Sequence, residues 1–138
     1  KLMVIIAGYE KELNQCFFNY NQGLNSRFTW RYKTDDYTHK ELYLIFIKKV
    51  KDIQWNIDNK INNNWFQDKM EYFKYYGRDM ETLLAKVKIA HSKRVFCLDN
   101  SHKKNINIKD MNNGFDLFIN NDEVKNRNKS SFLSHMYC

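Results

Sequence analysis

The sequence predicts an α/β fragment followed by an all-α region. The opening run "KLMVIIAG" is almost continuously apolar from Leu2 onward, which is typical of a buried strand, often a parallel one with both faces covered. Phe28, Trp30 and Tyr32 alternate with polar residues, and this period of two predicts a second strand. From Thr38 onward, apolar residues recur at helical spacing, which predicts a bundle of about four helices.

Between the two predicted strands, the segment "GYEKELNQCFFNYNQG" has apolar residues at helical spacing, and Gly23 suits a left-handed C-terminal cap of that helix. A buried parallel strand needs neighbouring strands, and no comparable run follows Leu2 closely. The sequence also begins without an initiator Met. We therefore expect the partner strands to lie upstream, and this chain to be the C-terminal part of a larger protein.

The helical region opens with a capping box, in which Thr38 and Glu41 each satisfy a free backbone amide of the other. The spacing predicts further helices from about Asp58, from near Arg78 and, after a short extended piece, from about Asp110. Apolar residues at helical spacing define the expected core: Leu42, Ile45, Phe46, Val50, Ile53, Ile61, Trp65, Phe66, Met70, Phe73, Met80, Leu83, Leu84, Val87, Ala90, Val95, Met111, Phe115, Phe118 and Ile119.

Composition limits the class of protein. A chain of 138 residues with 43% hydrophobic content is sufficient for one domain with its own core. Cys16, Cys97 and Cys138 are far apart and are interpreted as reduced thiols of an intracellular, cytoplasmic protein. The histidines show no metal-ligand spacing, and no apolar run approaches the roughly 20 residues that cross a bilayer. Neither a metal site nor a membrane partner is predicted.

The net charge of +7 is unevenly distributed. Between Lys74 and Lys109 there are nine basic and three acidic residues, so +6 of the +7 lies in this quarter of the chain. Such a patch suits phosphates, either of a nucleotide or of a nucleic acid. A solvated helix face explains the charge equally well.

The order of these features resembles the C-terminal half of an AAA+ ATPase. The segment "VIIAGYEKELNQCFFNYNQGLNSRF", followed by an aromatic strand and "DDY", is similar to the CbxX/CfqX branch, which includes red-type Rubisco activases and stage V sporulation protein K. That branch has V-I-x-A-G-Y, then N-x-G-L-x-S-R-[FI], then D-Y. The matching residues are Val4, Ile5, Ala7, Gly8, Tyr9, Asn21, Gly23, Leu24, Ser26, Arg27, Phe28, Asp36 and Tyr37.

Further along, "YYGRDMETLLAKVKIAHSKR" resembles the start of the lid helix that carries the family's second sensor. Segments with "GRDMETLL" are also similar to AAA+ proteins encoded by large DNA viruses. The resemblance implies three parts. Residues 1–37 would be the end of an AAA+ P-loop NTPase core, 38–121 a four-helix lid, and 122–138 an unassigned tail.

The resemblance also implies roles for three residues. Arg27 would be the arginine finger, acting in trans on the nucleotide of a neighbouring subunit. Arg78 would be sensor 2, and Tyr9 would occupy the sensor 1 position. A guanidinium directed at the γ-phosphate stabilises the charge of the transition state, and it can contribute on the order of 10³ to 10⁵ in rate.

The whole protein would then couple ATP hydrolysis in a homo-oligomeric ring, possibly a hexamer by analogy with the family, to protein remodelling. Tyr9 fits the A-G-Y of this branch but stands where a typical AAA+ sensor 1 has Asn or Thr. Gln22 and Asp35 replace the usual prolines of the branch. It contains no G-x-x-x-x-G-K-[ST] loop. ATP and Mg²⁺ are therefore expected to bind mainly to a part of the protein outside this sequence, and this chain alone is not expected to hydrolyse ATP.

Other interpretations remain open. The basic patch favours a helical nucleic-acid-binding module, which predicts binding with a steep salt dependence. A catalytically degenerate AAA+ scaffold would keep the fold without turnover. At the level of single residues, Arg27 could be an ordinary surface arginine, Tyr9 a packing aromatic, and Arg78 the partner of Asp79 or Glu81 in a salt bridge at the helix end.

Overall fold

A computed structural model describes residues 2–99 and 102–127, and the chain divides into two compact units between Asp36 and Tyr37. The first unit contains two short helices. Helix α1 (Glu10–Glu12) continues into a π-helical segment, Leu13–Phe18, and helix α2 spans Gln22–Arg27. Three phenylalanine rings meet edge to face in this unit, with centroids 5.2 to 6.1 Å apart: Phe17, Phe18 and Phe28.

The prediction of two strands in the first unit is wrong. Residues 4–9 and 28–33 form no strand, and no described residue before Tyr37 is buried. Leu2 is 90% exposed and Trp30 83% exposed. A strand is stable only when its backbone groups pair with a neighbour, and the described residues of this unit supply none. The pattern of side chains identifies apolar segments here but not their pairing.

Gly23 also differs from expectation. Asn21 begins α2 as its N-cap, and its side chain accepts the Gly23 N–H at 2.9 Å. Gly23 therefore lies in the first turn of a helix and does not adopt a left-handed conformation. An Asn cap two residues earlier starts a helix where a helix end was predicted.

The second unit holds the helices and the buried core. Helix α3 spans His39–Asp52 and begins at the predicted capping box, where the Thr38 N–H donates to Glu41 Oε2 at 2.8 Å. The remaining elements follow in order: strand β1 (Asn56–Ile57), helix α4 (Asn63–Gln67), a 3₁₀ turn (Met70–Tyr72), helix α5 (Tyr76–Val95), strand β2 (Asn105–Ile106) and helix α6 (Ile108–Ile119). Residues 122–127 are also helical and are called here the 122–127 helix.

Four helices therefore lie in the predicted regions, with different bounds. The second is a short helix capped by Asn62, because the chain from Asn56 first pairs with β2 instead of starting a helix. Strands β1 and β2 are parallel, with Asn56 opposite Asn105 and Ile57 opposite Ile106. None of the described helices is both long enough and apolar enough to cross a membrane.

The core of this unit packs α3, α4, α5 and α6 around large apolar side chains. Fully or almost fully buried residues include Leu42, Phe46, Val50, Ile61, Phe66, Phe73, Met80, Leu83, Val87, Ile106, Met111 and Phe118. Helices α5 and α6 approach closely where Gly114 faces Val87, since a Cβ at position 114 would lie 2.6 Å from Val87 Cα. Burial of this apolar surface is the main stabilising contribution to the unit.

Candidate functional site

Arg27 is the last residue of α2 and is exposed. Ser26 Oγ donates to the Gly23 carbonyl at 3.1 Å, which closes the turn just before it. Across residues 2–99 and 102–127, the Arg27 side chain forms no ion pair or hydrogen bond. Its guanidinium is therefore available to an anion from outside the described chain.

Arg31, a neighbouring arginine, is occupied within the first unit. Its guanidinium donates to Asn25 Oδ1 and lies 4.5 Å from the centre of the Phe18 ring. Two exposed arginines of one unit thus differ in a simple way, because one has local partners and the other does not. Arg31 provides a matched control for any test of Arg27.

Tyr9 precedes α1 and is 65% exposed. Its carbonyl accepts the Leu13 N–H at 2.9 Å, so its backbone takes part in the start of the helix. Its ring is not a buried packing aromatic within the first unit. The sensor 1 assignment of this residue stays a prediction.

Arg78 lies in the first turn of α5, in the second unit, and is exposed. Its backbone N–H donates to the Tyr75 carbonyl at 3.0 Å, and its own carbonyl accepts the Thr82 hydroxyl at 3.2 Å. Its guanidinium lies 5.6 Å from the centre of the Tyr75 ring. These contacts fix the backbone at Arg78 and leave its charged group at the surface.

The two acidic neighbours of Arg78 bind other cations. Glu81 accepts from Lys49 Nζ at 2.6 Å, and this hydrogen bond with the nearby Lys49 charge lowers the pKa of Glu81. Asp79 binds Arg127 at 2.7 Å. In the described part of the chain Arg78 has no salt bridge, so the alternative interpretation, a salt bridge at the helix end, is not formed there.

Asp79 is completely buried at the start of α5. One of its oxygens accepts the Tyr75 N–H at 2.8 Å, and the other accepts from Arg127 Nη1 at 2.7 Å. Burial opposes the charged form of Arg127, but its hydrogen bonds to Asp79 and Glu123 outweigh this effect, so the pKa of Arg127 is raised. The guanidinium of Arg127 also lies 4.0 Å from the centre of the Tyr75 ring.

A second buried polar cluster joins α5, β2 and α6. Asp110 accepts from Arg94 Nε at 2.7 Å and lies 3.0 Å from His91 Nδ1. His91 Nε2 is 3.0 Å from the Lys103 carbonyl, so this nitrogen donates. Burial opposes the charge on Asp110, yet hydrogen bonds from Arg94, His91 and the Asn107 amide lower its pKa overall.

Neither polar cluster was predicted. Asp110 bonds residues 16 and 19 positions earlier, and Arg127 bonds a residue 48 positions earlier. Single-sequence patterns carry no signal for pairs at such separations. One local signal was readable, because Asn107 and Asp110 form a capping box that starts α6 at Ile108 instead of at Asp110.

The basic segment is mostly exposed. Seven of its nine cationic residues are at the surface: Lys74, Arg78, Lys88, Lys93, Lys103, Lys104 and Lys109. Arg94 is bound by Asp110, and Lys86 is half-buried. These seven side chains are therefore available to an anionic partner.

The sites predicted from the sequence fall in both units. Tyr9 and Arg27 belong to the first unit and Arg78 to the second. Among the residues that the structure describes, no group of three or more His, Cys, Asp or Glu side chains could hold a metal ion.

Comparison with known proteins identifies a relative among giant viruses. The chain is 44% identical over 131 residues to a protein of Acanthamoeba polyphaga mimivirus named as cfxQ-like. The alignment covers 91% of this chain and 32% of that protein, so the chain spans about a third of its relative's length. No family model and no solved structure matches the chain. The similarity supports a relation to the CbxX/CfxQ family, the branch whose motifs the sequence resembles.

Proposed function

We propose that this chain is the sensor and lid portion of an AAA+ ATPase of the CbxX/CfxQ branch. The whole protein would be encoded by a large DNA virus, and it would couple ATP hydrolysis in a homo-oligomeric ring to remodelling of a protein client inside the cell. One observation carries the proposal: 44% identity, over almost the whole chain, to a viral protein named as cfxQ-like. The family motifs around Arg27 and Arg78 support the same assignment.

Arg27 would act as the arginine finger. It follows a short capped helix, it is exposed, and the described chain offers its guanidinium no partner. An arginine that serves a neighbouring subunit needs these properties, because a local carboxylate would compete for the same charge. Arg suits the role better than Lys, since its planar fork can bind two phosphate oxygens at once.

Arg78 would act as sensor 2. The N-terminus of a long helix attracts phosphate, and Arg78 adds a full positive charge in the same first turn. Asp79 and Glu81 form their salt bridges with Arg127 and Lys49, and neither forms one with Arg78. In the complete protein, Arg78 would contact the ATP of its own subunit, and Arg27 would contact the ATP of the neighbouring subunit.

ATP and Mg²⁺ would bind mainly to a phosphate loop outside this sequence, which has no such loop of its own. Mg²⁺ would neutralise the phosphate charge when bound there. The guanidinium groups of Arg27 and Arg78 suit contact with phosphate oxygens. The described residues do not form a cluster that would hold the metal. Tyr9 would occupy the sensor 1 position beside that site.

The experiment that tests the proposal is Arg27→Ala in the full-length protein. We expect kcat to fall by on the order of 10³-fold with ring assembly and nucleotide affinity retained. Arg27→Lys should recover little, whereas the matched control Arg31→Ala should keep turnover near wild type. Near-wild-type turnover of Arg27→Ala in an intact assembly would refute the arginine-finger role of Arg27.

A mixing experiment tests whether Arg27 acts in trans. Arg27→Ala subunits keep an intact nucleotide site, so they should regain turnover when co-assembled with subunits that carry Arg27 but have a disabled nucleotide site. No recovery in verified mixed rings would contradict action in trans. A wild-type protein that assembles and binds ATP without turnover would instead favour the degenerate scaffold.

A nucleic-acid-binding module is the second candidate function. The observation that favours it is the exposed set of seven cations between Lys74 and Lys109. This function requires binding of DNA or RNA whose affinity falls steeply with salt concentration. Absence of salt-sensitive binding at low ionic strength would remove it.

A further inference from the structure

The 122–127 helix packs at the start of α5, beside Arg78. We infer that Arg127 is a positioning residue for Arg78, so that the 122–127 helix sets the response of the lid to nucleotide. This inference rests on the sensor 2 role proposed above and extends it to a segment for which the sequence suggests no role. It requires a chain of contacts from Arg127 to Arg78, and the structure supplies one.

The first link is Asp79, the residue directly after Arg78. Its carboxylate is completely buried and holds two groups at once, the Tyr75 N–H at 2.8 Å and Arg127 Nη1 at 2.7 Å. The first bond fixes the backbone at the beginning of α5. The second bond gives the buried carboxylate its cationic partner, so loss of Arg127 would disturb the turn that carries Arg78.

The second link is the ring of Tyr75. The Arg127 guanidinium lies 4.0 Å from its centre, and the Arg78 guanidinium lies 5.6 Å from the same centre. Both distances are within the range of cation–π attraction. A ring held by Arg127 therefore provides a fixed surface against which the exposed Arg78 side chain is oriented.

The third link anchors the 122–127 helix itself. Val124 is 2% exposed and belongs to the core, and Glu123 accepts from Arg127 Nη2 at 2.6 Å. Arg127 is thus braced on both sides, by Glu123 on its own helix and by Asp79 on α5. The bond to Asp79 therefore connects the 122–127 helix to the first turn of α5.

A double-mutant cycle in the full-length protein tests the inference. Nucleotide affinity is measured with a fluorescent ATP analogue for wild type, Arg78→Ala, Arg127→Gln and the double variant. Because Arg127 acts through Arg78, Arg127→Gln should weaken affinity by about 3- to 30-fold in wild type and leave it within about twofold in the Arg78→Ala background. Arg127→Lys should restore part of the loss, and Glu123→Gln should have a smaller effect.

A second measurement does not depend on nucleotide. Hydrogen exchange of the 138-residue chain should show faster exchange at the amides of residues 75–79 in Arg127→Gln, with the middle of α5 still protected. Thermal unfolding of each variant confirms that the fold is retained. Unchanged exchange at these amides would overturn the positioning link.

The outcomes separate the two proposals. An equal loss of affinity in both backgrounds would overturn the positioning role of Arg127 and leave the sensor 2 role of Arg78 in place. No effect of Arg78→Ala on affinity, or no nucleotide binding by the wild-type protein, would overturn the sensor 2 role and the inference that rests on it.

Discussion

Replacement of Gly114 by alanine tests the packing of α6 against α5. A Cβ at this position would lie 2.5 Å from Val87 Cγ2, 2.6 Å from Val87 Cα and 2.8 Å from Val87 N. Two of these three atoms belong to the backbone of α5, so no change of rotamer can clear them. Helices α5 and α6 would have to separate to admit one methyl group.

The size of the effect follows from two opposing contributions. Overpacking of a well-packed core costs about 1 to 3 kcal/mol. Alanine has a higher helix propensity than glycine, and this gain offsets the cost by up to about 1 kcal/mol. We expect Gly114→Ala to lower the free energy of unfolding by about 1 to 2 kcal/mol.

Urea unfolding of the 138-residue chain, followed by circular dichroism, measures this difference. Gly77→Ala is the matched control, because nothing lies within 4 Å of its added Cβ and its φ is not positive. This control should be neutral or stabilising by a few tenths of a kcal/mol. Val87→Ala should not rescue Gly114→Ala, since the backbone contacts remain. A Gly114→Ala protein as stable as wild type would refute the close approach.

Two further predictions concern stability. The pKa of Asp110 is lowered in the folded protein. The ionised carboxylate therefore contributes fully to the free energy of unfolding above its unfolded pKa near 3.8, and this contribution is lost as pH falls through its folded pKa. Asp110→Asn should lower the free energy of unfolding by about 3 kcal/mol at pH 7. The variant should also lose less stability than wild type below about pH 4. Equal slopes of unfolding free energy against pH in the two proteins would contradict this. Thr38→Ala removes the cap of α3 and should cost about 1 kcal/mol, whereas Glu41→Gln, which retains an acceptor for the Thr38 amide, should cost less when both are compared by thermal unfolding.

Sequence patterns were informative where the stabilising contacts are local. The capping box at Thr38 lies within four residues, and the helical spacing of apolar residues predicts both α3 and α5. The strands were not predictable in the same way, because they depend on pairing with another segment of the chain. The run from Leu2 has the composition of a strand, yet a strand needs a hydrogen-bonded neighbour, and side-chain alternation does not reveal whether one is present.

The candidate functional site, like the fold, was predictable from the sequence only in part. Exposure of Arg27 and the place of Arg78 in the first turn of a helix agree with motif-based expectations, while their roles remain predictions. The partners of Asp79 were not predictable. Its neighbour Arg78 is the obvious candidate by sequence, but the buried carboxylate is bound by Arg127 instead. Geometry at the start of a helix directs adjacent side chains to different faces, and only the folded chain shows which one meets the core.

The distance along the chain between Asp79 and Arg127 has a consequence for synthesis. A ribosome adds about 5 to 20 residues per second, so the 48 residues that separate the pair take roughly 2 to 10 seconds to appear. Helices form in microseconds or less. During that interval the cationic partner of Asp79 has not yet been made, and burial of an unpaired carboxylate is costly. Closure of the core over Asp79 with its cationic partner in place therefore follows the synthesis of Arg127.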